Sequence, residues 1–307
     1  MNLDYVLRRL LWAIPLLLLA SLVVFLLLHL TPGDPVRLML GEQASQAQVA
    51  AVRATLGLDR PLPEQYVRFV GRALQGDLGM SIRASRPTTE LILLALPATL
   101  ELAGAALALA LLVGIPIGIL AALRPGSLFD NVALFLALLG QSVPSFWLGL
   151  TLIYLFALQW QVLPTSGRGE WKQLILPACA LAPFLMGMLI RITRTSFIDV
   201  LRGDYIRTAY AKGLGRSRVV VGHALKNAML PVVTVIGLQT GALLGGAVIT
   251  ETVFGWPGVG QLAVNALYNR DYPVVQAVVL ISAVVFILIN LVVDLLYAML
   301  DPRIRYR

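Results

Sequence analysis

Residues 97–123 read PATLELAGAALALALLVGIPIGILAAL, an apolar stretch in which Glu101 is the only charged residue. A helix needs about 20 predominantly apolar residues to cross the hydrocarbon of a bilayer, so this stretch is long enough to span it. Five other stretches qualify as well. The six predicted transmembrane helices are residues 10–30, 97–123, 132–157, 174–190, 229–250 and 274–298. The predicted fold is therefore an all-α polytopic membrane protein with six transmembrane helices.

The composition fits a chain whose solvent is partly lipid. Hydrophobic residues make up 58% of the chain and charged residues 13%, about half the charged share of a soluble domain. The net charge of +8 would suit nucleic acid only on a soluble basic surface, so membrane orientation and anionic lipid explain it better. The single cysteine, Cys179, excludes a disulfide framework and a multi-cysteine metal site within the chain, and no metal site is predicted.

The Lys and Arg residues of the short loops lie mainly on one side of the predicted spans. That side carries Arg8, Arg9, Arg124, Arg191, Arg194, Arg202, Arg207, Lys212, Arg216, Arg218, Lys226, Arg303, Arg305 and Arg307, and the other side only Arg168, Lys172 and Arg270. Because positively charged short loops stay in the cytoplasm, both termini are predicted to be cytoplasmic. The first apolar run is too long for a signal peptide, and we expect it to be retained.

We predict one transmembrane domain over residues 1–307, with an external segment at residues 31–96 and a cytoplasmic loop at residues 196–228. Two helices ended by glycine are predicted in the external segment: Gln46–Leu56 before Gly57, and Pro63–Gln75 before Gly76. This helical cap either packs over the external helix ends or docks a partner that delivers solute. Both roles stay open.

The cytoplasmic loop is longer than a simple connector. Asp204 is predicted to cap a helix that continues to Lys212, and Ser217 to cap a second helix toward Ala228. Glycines at 213 and 215 separate the two.

Small residues occur along the first loop helix. Ala209, Ala211 and Gly213 would leave a shallow surface on which another protein can rest. The alternative is a basic amphipathic segment that lies on anionic lipid.

The loop resembles the coupling loop of binding-protein-dependent ABC importer permeases, in the branch that carries peptides, glutathione and nickel. The matching stretches are YIRTAYAKG at 205–213 and HALKNAMLP at 223–231. Further matches are TPGDP at 31–35, GDLG at 76–79, ETVFGWPGVG at 251–260, DYP at 271–273 and NLVVD at 290–294. These stretches are spread along the chain from residue 31 to residue 294, and the resemblance as a whole covers nearly all residues.

The resemblance implies that the first loop helix inserts into a groove on a cytoplasmic ATPase. The residues it places there are Asp204, Tyr205, Arg207, Ala209, Ala211, Lys212 and Gly213. The wider family opens this motif with Glu-Ala-Ala, which Arg207-Thr-Ala209 replaces here, so glutamate contacts are not carried over. The implied partners are a homologous permease, two ATP-binding subunits and an external solute-binding protein, in a bacterial inner membrane.

The chain lacks the loop that would hold ATP. None of its three lysines, Lys172, Lys212 and Lys226, follows a glycine, so no Gly-x-x-x-x-Gly-Lys-Ser/Thr motif occurs. We therefore expect a pore subunit that is not an enzyme and binds no cofactor, with ATP and Mg used by partner subunits.

Four neutral polar side chains lie deep in the predicted spans: Gln141, Ser142, Gln239 and Asn290. They either line a water-filled pathway or bond between helices. The carboxylates Glu101 and Asp294 lie within a turn of a helix end, so we expect structural roles with partners nearby.

Two patterns predict how the spans pack. Gly114-x-x-x-Gly118 and Gly241-x-x-x-Gly245 place small residues one turn apart, which allows helices to approach closely. Pro116 and Pro144 each remove a backbone hydrogen bond and are predicted to kink their helices.

The resemblance favours small peptides, including glutathione, as the solute, above chelated nickel. Whether the second permease is a copy of this chain or a different one stays open. The main alternative is an ion-coupled secondary transporter or channel without ATPases, which would favour midplane charges. An enzyme using Ser142 would need a base, and His29 and His223 lie at opposite ends of the predicted spans.

Overall fold

The computed structural model describes residues 3–30, 36, 45–57 and 59–300. The helices of this part are α1 Leu3–Leu30, α2 Gln46–Leu56, α3 Leu62–Leu74, α4 Thr88–Leu123, α5 Leu128–Ser142, α6 Ser145–Leu152, α7 Trp171–Leu201, α8 Asp204–Ala211, α9 Arg216–Val219, α10 Leu225–Phe254, α11 Val259–Tyr268 and α12 Tyr272–Leu300. Short π-helices continue α6 over Ile153–Gln159 and join α9 to α10 over Val220–Ala224. One isolated antiparallel bridge pairs Met80 with Pro87. The prediction of an all-α fold is confirmed.

Four helices of the described residues are long and apolar enough to cross a membrane: α4, α7, the continuous α9–α10 helix and α12. The bent pair of α5 with α6 gives a fifth if it counts as one span, and Leu11–Leu26 in α1 forms a shorter apolar helix. A polytopic protein is thus confirmed, and the count of six stays a prediction.

The predicted third span breaks at Pro144. Helix α5 ends at Ser142, Val143 is extended with φ −80° and ψ 124°, and the two halves meet at 101°. Proline has no N–H to donate and disfavours helical backbone at the residue before it, which accounts for the break. At Pro116, by contrast, α4 continues as one helix.

The described chain forms two compact units, and the prediction of a single domain is not tested by this division. The first unit takes in Ala98–Pro257 and the described part of Ile289–Arg307, and the second takes in the described parts of Leu3–Pro97 together with Gly258–Leu288. In the first unit, leucines and alanines of α4, α7 and α10 form the main core, including Leu102, Leu185 and Ala247.

Glycines allow close helix contacts in the first unit. A Cβ on Gly118 would lie 2.7 Å from Thr193 Cβ, and a Cβ on Gly187 would lie 2.3 Å from the Ala137 carbonyl oxygen. Helix α7 therefore packs against α4 and α5 at distances that side chains would prevent. The close approach predicted at Gly114-x-x-x-Gly118 is confirmed, whereas Gly245 of the second motif has nothing within 4 Å of its Cβ position among the described residues.

The predicted cap helices are confirmed. Helix α2 has its predicted bounds and ends at Gly57, whose φ of +69° favours glycine. Helix α3 covers Leu62–Leu74, one residue before the prediction at each end, and Gly76 follows with φ +82°. Within the second unit, Tyr66 of α3 lies 2.8 Å from Ser21 Oγ of α1.

Candidate translocation cavity and coupling segment

A cavity of about 310 Å³ lies between α5, α6, α7 and α10. Its wall is mostly apolar, and its polar side chains include Gln141, Ser142 and Gln239. Three of the four polar residues singled out in the sequence thus lie together, although Gln239 is on a different helix from the other two. Asn290 of α12 is not among the lining residues. Their role in lining a translocation pathway stays a prediction.

The break at Pro144 forms one side of this cavity. Gly140, Val143, Pro144 and Ser145 all line it. Non-helical backbone at membrane depth is tolerated where it lines a cavity, because water or solute can satisfy its polar groups. The proline therefore interrupts the helix at a place where the freed backbone groups border a cavity.

Three polar side chains of the cavity have defined contacts. The Ser142 hydroxyl donates to the Leu138 carbonyl at 2.9 Å, and Gln239 Nε2 lies 2.9 Å from Met188 Sδ. Gln141 Nε2 donates to the Ala137 carbonyl at 3.2 Å, and its Oε1 accepts from Arg191 Nη1 at 3.4 Å. The serine is thus bonded to the main chain rather than to a base that could activate it.

The first helix of the predicted coupling loop has a different capping residue from the prediction. Gly203 occupies the cap position of α8 and Asp204 is its first helical residue, while Gly213 follows the helix with φ +81°. The predicted second short helix is not separate. Helix α9 starts at Arg216, one residue before the predicted cap Ser217, and is continuous with α10 through the π-helix. No proline interrupts it before Pro231, and a lone Gly222 costs a helix only about 1 kcal/mol.

Helix α8 has a buried face and an exposed face. Ile206 and Ala209 pack into a cluster with Phe197 of α7, Ala122 of α4 and Val219 of α9. Ala209 is only 6% exposed, and its assignment to a shallow contact surface stays a prediction. The other predicted coupling residues are exposed: Asp204, Tyr205, Arg207, Ala211, Lys212 and Gly213.

Polar contacts fix α8 and its neighbours to the long helices. Ser196 Oγ of α7 donates to the Ala228 carbonyl of α10 at 2.7 Å, and Asn227 Nδ2 donates to the Tyr205 hydroxyl at 3.0 Å. Arg216 Nη2 donates to the Leu123 carbonyl at the end of α4, at 2.8 Å. These bonds therefore connect α8 and the start of α9 to α4, α7 and α10.

Two family models match the chain. Residues 2–103 match the N-terminal part of binding-protein-dependent transport system membrane components, and residues 114–306 match the inner membrane component of these systems. The chain belongs to this family. It is a permease subunit of an ABC importer, as the resemblance implied.

Full-length relatives agree with the family match. The permease is 45% identical over 337 residues to the dipeptide transport system permease protein DppB of Escherichia coli (strain K12), covering 99% of each chain. It is 47% identical over 305 residues to the glutathione transport system permease protein GsiC of Pectobacterium atrosepticum, covering 99% of this chain and 100% of the relative.

Solved structures support the fold. A chain of the inward-facing MetNI methionine ABC transporter superposes with a TM-score of 0.58 at 18% identity, covering 69% of the permease and 96% of that chain. An amino acid ABC transporter crystallised with histidines gives a TM-score of 0.56 at 17% identity, covering 69% and 94%.

Glu101 has the nearby partner that was expected, since its Oε2 lies 2.7 Å from Arg168 Nη2. The side chain of Asp294, the other carboxylate considered, lies outside the described residues. Three buried carboxylates were missed in the sequence: Asp130, Glu251 and Asp271. The last two lie in stretches that carried the family resemblance, and that was the available signal.

Glu251 and Asp271 hold distant parts of the permease together within their own units. Glu251 Oε1 accepts from Thr99 Oγ1 at 2.7 Å, and Trp256 Nε1 beside it donates to the Ala98 carbonyl at 2.7 Å. Asp271 accepts from the Ser81 hydroxyl and from the Ile82 N–H at 3.1 Å. The matched motifs GDLG and DYP thus meet near one turn, where the Gly79 Cβ position lies 3.8 Å from Pro273 Cβ.

Proposed function

We propose that this permease imports small peptides, dipeptides or glutathione-like compounds, by alternating access. It forms half of a pathway with a homologous permease, receives solute from an external binding protein and moves when two cytoplasmic ATPases bind and release ATP. Both termini lie in the cytoplasm. The observation that carries this proposal concerns the two faces of α8. Its outer face is exposed, and its buried face packs in one cluster with residues of α4, α7 and α10.

The packing of α8 against these helices supports a role in transmitting motion. Because Ile206 and Ala209 are packed against residues of α4 and α7, a force on α8 acts on those helices rather than on a free loop. The bond from Ser196 to Ala228 joins α7 to α10 at the same level. Both helices line the cavity, so docking at α8 would change the width of the pathway.

The solute class follows from the relatives and suits the cavity. The relatives at 45% and 47% identity are named for dipeptide and glutathione transport. Two amide side chains and Ser142 at the cavity offer both donors and acceptors to peptide groups. Few such contacts are needed where a binding protein has already selected the solute.

Reconstitution of the full importer in proteoliposomes tests the coupling role. We expect Ala211→Trp to lower ATP hydrolysis stimulated by the loaded binding protein at least about tenfold, because the bulky ring blocks close docking of the ATPase. The matched variant Ala211→Ser keeps the small exposed side chain and should retain stimulation. Normal stimulation by the tryptophan variant would remove α8 from the ATPase contact.

The same preparation separates the main alternative. A wild-type permease that binds no ATPase and still moves peptide along an ion gradient would be a secondary transporter. Uptake that requires ATP and the binding protein excludes it.

A further inference from the structure

One face of α7 continues from the cavity toward the predicted cytoplasmic side. Phe184 lines the cavity, Met188 contacts the cavity residue Gln239, and Arg191 contacts the cavity residue Gln141. Residues spaced by four and then three positions share one face of a helix. Arg191 is also the first charged residue after Lys172 along this helix. Its guanidinium therefore lies beside a residue that lines the cavity, on the predicted cytoplasmic side.

The contact with Gln141 follows from the packing of α5 on α7. Gly187 allows the approach, because a Cβ there would lie 3.0 Å from Gln141 Nε2 and closer still to the Ala137 carbonyl. Gln141 Nε2 is held by that carbonyl, which directs its Oε1 toward Arg191. The Oε1 to Nη1 distance of 3.4 Å is long for a hydrogen bond, so most of the guanidinium stays available.

A second arginine on the same helix, Arg194, differs from Arg191 in having a carboxylate partner. Arg194 binds both oxygens of the buried Asp130, with Nη2 to Oδ2 at 2.7 Å. Arg191, one turn earlier, is exposed, and within the described part of the chain it has no carboxylate within 4 Å. Its five donors match a carboxylate in two-point geometry, which is the group that every unmodified peptide carries at its C-terminus.

We propose that Arg191 receives the terminal carboxylate of the peptide as it leaves the cavity, with Gln141 as its positioning residue. This inference rests on the proposed import of peptides. The lining residues of the cavity carry no charge, so a guanidinium next to Gln141 attracts the anionic end of the solute out of the cavity. Because the hydrogen bond from Arg191 to Gln141 is long, the guanidinium can replace the Gln141 amide oxygen with the peptide carboxylate without a large rearrangement.

The test compares an acid and an amide in the reconstituted importer. Dialanine and dialanine amide are each loaded on the binding protein in advance, and uptake is measured for wild type, Arg191→Gln and Arg191→Lys. Selection by the binding protein is common to all three, so the ratio of acid to amide uptake isolates the permease. Arg202→Gln serves as control, since Arg202 is exposed and follows the end of α7.

We expect Arg191→Gln to lower dialanine uptake about tenfold and to leave the amide unchanged, because a charge-assisted hydrogen bond is lost only with the acid. Arg191→Lys should keep part of the acid preference, and Arg202→Gln all of it. An equal loss for both peptides, or a loss of complex assembly on gel filtration, overturns the inference and indicates a structural or subunit contact. Wild type that takes up neither peptide contradicts the proposed function itself.

Discussion

The pair of Asp130 and Arg194 shows how one buried carboxylate can organise a helix end. Asp130 is 1% exposed, accepts from Gly126 N–H at 2.8 Å and pairs with Arg194 through two bonds. It therefore fixes the turn between α4 and α5 to α7. Removing Asp130 leaves the Arg194 guanidinium, whose side chain is 22% exposed, partly buried without its partner, which is costly.

We predict that Asp130→Ala lowers the free energy of unfolding by about 3 kcal/mol, measured by thermal or denaturant unfolding in detergent. The exposed pair of Arg60 and Glu64 is the control, and Glu64→Ala should cost less than about 1 kcal/mol. The double variant Asp130→Ala/Arg194→Ala should recover part of the loss, because no unpaired charge remains. Equal costs at the two pairs would show that burial does not determine the value of the ion pair.

At the scale of elements, close packing of α7 on α5 determines where the cavity residues meet. Gly187→Ala is predicted to destabilise the permease by about 1 to 3 kcal/mol, because its Cβ would lie 2.3 Å from a main-chain oxygen that cannot rotate away. Gly245→Ala in α10 is the matched control, with open space around its Cβ position. In the isolated chain we expect it to be neutral or to stabilise the helix by up to about 1 kcal/mol. Melting curves in detergent check both, and a neutral Gly187→Ala would mean that α7 can shift away from α5.

Local signals predicted individual elements well. The glycines after α2 and α3 marked their ends, and Pro144 marked the break between α5 and α6. Contacts between distant elements were not predictable, because Glu251 meets Thr99 across 152 positions and Asp271 meets Ser81 across 190. The burial of Ala209 was not predictable for a related reason: a small side chain suits both a docking surface and a tight core, and its burial depends on the position of α7.

For the whole molecule, the open architectural question is whether the bent pair of α5 and α6 crosses the membrane. Charge favours a crossing, because only then do the two most basic parts before α10 lie on the same side, namely the N-terminus with Arg8 and Arg9 and the segment from Arg191 to Arg218. A crossing gives three spans between α3 and α8, namely α4, the bent pair and α7. A re-entrant pair gives only two, so the number of crossings decides whether α3 and α8 lie on the same side.

Single-cysteine labelling measures this directly. In a Cys179→Ser background, Glu64→Cys in α3 and Lys212→Cys after α8 both place a thiol at an exposed position. We predict that a membrane-impermeant maleimide added to intact cells labels position 64 and not position 212, while inside-out vesicles give the reverse. Labelling of both from one side would mean that the bent pair is re-entrant, and reversed labelling would place the termini outside. Because α8 must face the ATPases for coupling, the result at position 212 also tests the proposed mechanism without requiring transport activity.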